Sequence, residues 1–214
     1  MLGDWWDMPS LSSYDTGKKS FEGRMYGADI AAGNRGMDLF MAPIRKARGY
    51  KPRLIFLYGN HEQRILRAIE NDRKLDGTIG YKDFNLAKHG WETHKFLEVV
   101  VVDGIAYSHF FPRSANGRIV QTKNGAPTAK DQLKREGRSA TAGHAQGLDW
   151  SPMPLGGKIQ CGLIAGSFYQ HDEDYMGPQG NDYWRGLVIK HEVKAGSYCP
   201  MFVSLDYLKR RYGK

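Results

Sequence analysis

The chain has 214 residues, of which 41% are hydrophobic and 25% charged, a balance that suits a globular protein and excludes disordered and fibrous architectures. No apolar run approaches the roughly 18 residues that span a bilayer, and the opening MLGDWWDMPS lacks the basic start and apolar stretch of a signal peptide. A cytoplasmic protein with one domain over residues 1–214 is therefore expected, and its formal charge of +8 favours an anionic partner, with nucleic acid a candidate and a membrane not.

Residues 1–23 are rich in Ser, Gly, Asp and Trp without periodicity and read as a long loop. From Tyr26 to Arg48 the apolar residues Ile30, Met37, Phe40, Met41 and Ile44 recur at helical spacing, interrupted by Gly33, Gly36 and Pro43. Arg53 to Tyr58 is a short apolar run ending at Gly59, the form of a strand buried on both faces of an α/β sheet. The repeat of Ile65, Leu66 and Ile69 makes Glu62–Asp72 a helix, so Gly59-Asn60-His61 occupies a strand-to-helix turn, where open α/β folds place their sites.

Residues 96–102 and 105–110 flank Asp103-Gly104, a two-residue hairpin signal. A helix at 127–135, a short strand at 138–142, further strands at 158–168, 184–193 and 201–205, and a terminal helix at 206–212 complete the expected order. Cys161 and Cys199 both sit in apolar, strand-like contexts and are expected to be buried free thiols.

Four segments place ligand-type side chains just after expected strands: Gly3-Asp4-Trp5-Trp6-Asp7, Gly59-Asn60-His61-Glu62, Ser108-His109 and Gly143-His144-Ala145-Gln146. Asp and Asn oxygens with His nitrogens form the mixed donor set of manganese, iron or zinc, and a glycine before a ligand lets the chain turn sharply. Each segment alone is an ordinary turn. Their convergence is the signal.

In this order the segments resemble the calcineurin-like metallophosphoesterase family, with Gly-Asn-His-Glu the most specific piece. The Asp-Trp-Trp-Asp-Met-Pro-Ser-Leu-Ser opening and the Gly-Ser-Phe-Tyr-Gln-His stretch look most like phosphoesterases of bacteriophage genomes. The resemblance implies an α/β sandwich of two mixed sheets flanked by helices, lacking its first strand-helix unit. It also implies a phosphoester substrate, mono- or diester, hydrolysed by water activated at divalent metal ions.

Asp4 would bridge two metals; Asn60, His109 and His144 would complete the second metal site; His61 would act on the scissile phosphate without binding metal. The chain departs from the family twice. Its Asp-x-His motif is absent, and Gln146 stands where the family has a first-metal histidine. The family carries two ions, and one is expected here, with manganese preferred over iron, zinc or nickel.

The rival reading is a catalytically weak remnant, or one part of a split enzyme, that binds phosphate or nucleic acid. A sheet edge exposed by the missing strands would invite homo-oligomers. Tyr169 and His171, which follow a strand where Gly166 permits a close approach, are candidate substrate-binding residues. Trp5 and Trp6 are expected to pack beside the site, Asp172-Glu173-Asp174 to be an exposed loop, and His89, His94 and His191 to be surface or structural.

Overall fold

The computed structural model describes residues 1–14, 16–115, 118–120, 127–172 and 183–213. The chain is mixed α/β, with helices and a mixed five-stranded sheet, and no described helix is long and apolar enough to cross a membrane. It divides into two compact units, Met1–Phe96 and Leu97–Lys214. Glu173 and Asp174 of the acidic segment lie outside the described residues.

In the first unit, helix α1 (Tyr26–Lys46) contains Pro43, which removes one intrahelical donor close to where the helix ends, and turns Met37 and Met41 inward. Ile30, Phe40 and Ile44 pack on the same core, as the apolar spacing predicts. Strand β1 (Ile55–Leu57) pairs in parallel with β2 (Glu92–His94), a strand the sequence pattern does not reveal because its polar residues show no apolar alternation. Helix α2 (Gln63–Asn71) follows β1 closely and buries Ile65.

Trp6 is 1% exposed and stacks on Phe84 with ring centroids 4.2 Å apart, so it serves packing, as expected. A side chain at Gly33 would overlap the Trp6 ring. Glycine inside a helix costs about 1 kcal/mol relative to alanine, which burial of the indole offsets. Trp5 is held beside it by its Nε1–H, which donates to the Gly33 carbonyl at 3.0 Å.

In the second unit, β3 (Val100–Val102) and β4 (Ile105–Ser108) form the expected hairpin, with Val102 opposite Ile105 and positive φ at both Asp103 (50°) and Gly104 (81°). Two left-handed central residues match the twist of the flanking strands. Strands β5 (Arg113–Ala115) and β6 (Arg118–Val120) form a separate antiparallel pair. Helix α3 (Ala129–Glu136) is capped by Thr128, which accepts the Asp131 N–H while Asp131 accepts that of Thr128.

The main sheet continues through β7 (Ala140–Ala142), β8 (Leu148–Leu155) and β9 (Lys158–Ala165) in the order β3-β4-β7-β9-β8, with β4, β7 and β9 parallel. Strands β10 (Gly186–Lys194) and β11 (Ser197–Ser204) form an antiparallel ribbon, and helix α4 (Leu205–Tyr212) starts on Ser204, whose hydroxyl accepts the Tyr207 N–H. Strand β8 is absent from the sequence reading because Pro152 and Pro154 interrupt its pattern. Cys161 is buried as expected, whereas Cys199 is exposed, because it lies on the open face of the two-stranded ribbon.

Candidate metal centre

Each unit contributes its own share of the candidate residues. In the first unit two tight loops meet through glycine. A side chain on Gly59 would collide with the Asp4 carboxylate, and one on Gly3 (φ 84°) would lie 2.7 Å from the Leu57 carbonyl oxygen. Only glycine at both positions lets the chain after Gly3 approach the end of β1.

Glu62 locks this approach from inside. It is fully buried, and its two oxygens accept the N–H groups of Asp4 (2.9 Å), Trp5 (2.7 Å), Trp6 (3.0 Å) and Gly59 (2.8 Å). Burial, and after it the Asp4 charge, push this carboxyl up from its ordinary range, while the N–H groups of Trp6, Asp4 and Gly59 pull it down. Each oxygen takes two N–H donors, an arrangement that satisfies a carboxylate and leaves no acceptor for a carboxylic acid proton. Glu62 thus organises the loop that carries Asp4, a role the sequence reading missed; its signal was an acid at the junction of an apolar strand and a helix.

Asp4 itself has φ of 56°, and its Oδ1 accepts the His61 N–H at 3.1 Å. Asn60 is half-buried, and its carbonyl accepts from Arg67 at 2.8 Å. The His61 ring points its Nδ1 at Asp7 Oδ1, 2.5 Å away, and its Nε2 at an Arg64 nitrogen 3.4 Å away. The Asp7 side chain keeps 61% exposure, so the desolvation that raises its carboxyl is partial. The hydrogen bond and charge of His61, with Arg64 behind them, carry Asp7 below its ordinary value.

In the second unit, β4 and β7 are parallel neighbours with Ser108 opposite Ala142, so the residues after them leave the sheet side by side. The Gly143 N–H donates to the His109 carbonyl at 3.0 Å and extends that register. His109 is 1% exposed, His144 is exposed, and His109 Nε2 lies 3.2 Å from His144 Nδ1. Phe110 stacks on the His144 ring at 4.8 Å and fixes its plane.

Two nitrogens bound to one ion at about 2.1 Å, with angles of about 90° to 110°, stand about 3.0 to 3.4 Å apart, so this pair has the spacing of two ligands on one metal. The loop holding His144 is strained. Ala145 N–H donates to the Gly143 carbonyl at 2.6 Å and Gly147 N–H to the Ala145 carbonyl at 2.7 Å, around His144 (φ 58°) and Gln146 (φ 61°). Three-residue turns with a positive φ at the centre are the rare, costly hand, and strain of this kind clusters at functional sites.

Asp4 in the first unit offers a carboxylate oxygen, and His109 and His144 in the second offer ring nitrogens, donors of the kinds that hold a metal ion. Tyr169 and His171 stack on each other at 4.6 Å, with the Arg185 guanidinium 5.3 Å over the Tyr169 ring. The close approach allowed by Gly166 (φ 75°) is made by Trp184, whose ring would lie 2.5 Å from a side chain there; the glycine serves packing rather than a ligand. His89 is buried against Asp38 at 2.7 Å and His94 pairs with Glu92 at 2.9 Å, both structural as expected. No protein-family model, curated protein or solved structure matches this chain.

Proposed function

We propose that this chain is a metal-dependent phosphoesterase of the calcineurin-like type, acting on phosphate mono- or diesters, with nucleic acid or nucleotides the preferred substrates. The observation that carries the reading is the His109–His144 nitrogen pair, spaced as two ligands on one ion. Asp4, Asn60, His109 and His144 form the ligand set, a mixture of oxygen and nitrogen suited to manganese, iron, zinc or nickel. An ion bound by these residues would supply charge neutralisation at the phosphoryl group and acidify a bound water.

The residues of the chain do the rest. Asp4 is oriented by the Glu62-bound loop, and His61, turned by Asp7, stabilises charge on the phosphate or protonates the leaving oxygen. The sandwich architecture of the calcineurin-like family goes with this reading. Gln146 favours the second reading, a weak enzyme that mainly binds phosphate or nucleic acid, because a glutamine carbonyl is a poorer ligand than imidazole for a borderline metal.

Metal analysis and hydrolysis of bis-p-nitrophenyl phosphate by the full chain test both. One bound ion per chain with turnover that disappears in His144→Ala supports the enzyme. An ion without turnover supports the binding protein, and no bound ion at all overturns the assignment.

A further inference from the structure

The first unit contains a cavity of about 260 Å³ that none of the roles above uses. Helix α2 forms one wall with Arg64, Arg67, Ala68 and Asn71, which recur at the spacing of a single helix face; Ile65 on the opposite side is buried in the core. The facing wall is the loop carrying Ser10, Ser12, Ser13 and Thr16. Two guanidinium groups and five hydroxyls, Tyr14 adding the fifth, thus line the cavity, and the nearest described carboxylate is that of Asp7, 3.9 Å from Arg64.

Both arginines are held in place. Arg64 is 13% exposed and donates to the carbonyls of Asp7 (2.8 Å) and Met8 (3.2 Å). Arg67 donates one N–H to the Asn60 carbonyl at 2.8 Å, and its side chain lines the cavity. Ser10 carries a buried hydroxyl with no partner among the described residues, although its backbone N–H is satisfied by Asp29 at 2.9 Å. A buried orphan hydroxyl costs stability unless something accepts or donates there.

Fixed guanidinium forks with surrounding hydroxyls are the chemistry that recognises phosphate oxygens. Arg64 also stands 3.4 Å from His61 Nε2, so the cavity begins one side chain away from the group assigned to the scissile phosphate. We propose that this cavity binds a phosphate group of the substrate that neighbours the one being cleaved, which makes the substrate a polyphosphorylated chain or nucleotide. The proposal rests on the phosphoesterase reading for the word substrate. The anion site itself stands without it.

The test is binding of fluorescently labelled pentathymidylate to the metal-free full chain, with ATP and inorganic phosphate as competitors. Arg67→Gln is expected to weaken pentathymidylate binding about tenfold, Arg67→Lys to restore part of it, and Arg73→Gln on the neighbouring surface to leave it unchanged. Ala68→Leu, which fills the cavity without altering charge, is expected to match Arg67→Gln. Competition by ATP stronger than that of inorganic phosphate supports a multi-phosphate ligand of small size, and preference for pentathymidylate supports a nucleic acid strand.

Equal losses in Arg67→Gln and Arg73→Gln, or full binding in Ala68→Leu, would overturn the site. Melting temperature confirms that each variant is folded. Because these arms need neither metal nor turnover, they are independent of the enzyme test: a chain that binds pentathymidylate here but takes up no ion in the metal analysis keeps the anion site and loses the enzyme reading.

Discussion

His61 Nδ1 and Asp7 Oδ1 stand 2.5 Å apart, which sets the orientation of the imidazole and turns its other nitrogen toward Arg64. Asp7→Asn keeps the shape and removes the charge. Turnover of bis-p-nitrophenyl phosphate is expected to fall about tenfold to a hundredfold, the usual size of an orienting contact, with metal content unchanged. Loss of the ion in parallel would place Asp7 among the ligands instead.

Removing the ring itself should be more severe. His61→Ala is expected to lower turnover by about 10² to 10⁴, the range of general acid assistance, while one ion stays bound. Paired metal analysis and kinetics on the same preparation decide this, and a variant with full turnover would end the assignment.

Glu62 is a matter of stability before it is one of chemistry. Glu62→Ala leaves two buried N–H groups, of Trp6 and Gly59, and two half-buried ones, of Asp4 and Trp5, without their acceptor, so unfolding in urea should show a loss of about 3 kcal/mol. Metal affinity should fall with it, since the Asp4 loop is the part released. An unchanged midpoint would show that the loop holds its shape by other means.

His144→Ala and His109→Ala should each reduce metal affinity by about a hundredfold or more, as expected when one of two paired nitrogens is lost. They should differ in stability. His109 is buried and its truncation opens a cavity, whereas His144 is exposed and its loop is strained, so His144→Ala should leave the melting temperature near that of the parent. Isothermal titration with manganese and thermal melts separate the two effects.

Lys190 gives a pH signature in the second unit. Its amine donates to Thr141 Oγ1 at 2.5 Å and to the Tyr107 hydroxyl at 3.0 Å, and burial brings its pKa down to about 7. Between that value and the ordinary lysine range the unfolded chain binds more protons than the folded one, so stability rises with pH. The gain from pH 7 to pH 10 should be on the order of 2 to 4 kcal/mol. Above that window Tyr107, pushed by burial to about 12, and Tyr198, also raised, reverse the slope. Lys190→Met should flatten the rise, and urea unfolding across this range measures it; an equally steep rise in the variant assigns the effect to other groups.

Much of this arrangement was legible in the sequence. Helix α1 followed from Ile30, Met37, Phe40, Met41 and Ile44, and the β3–β4 hairpin from Asp103-Gly104, because periodicity and turn chemistry are local properties. The glycines beside Asp4 and Asn60 were read as turn-makers, but the reason both must be glycine is that the two loops touch each other. Contacts between segments more than fifty residues apart leave no local pattern. Glu62 likewise takes three of its four partners from a loop more than fifty residues away, and Gly166 meets Trp184, a neighbour no spacing could name.

Pro152 and Pro154 stand on the outermost strand of the five-stranded sheet. Proline offers no N–H, and within sheets it is confined to positions whose donor would face away from the neighbouring strand. The outer rim of β8 is thereby stripped of donors at two positions of the same parity and cannot be zipped to another copy. Val99 and Val101, exposed at the opposite rim, have no such guard. A charged residue at position 101 would give the β3 side the kind of guard that the two prolines give β8.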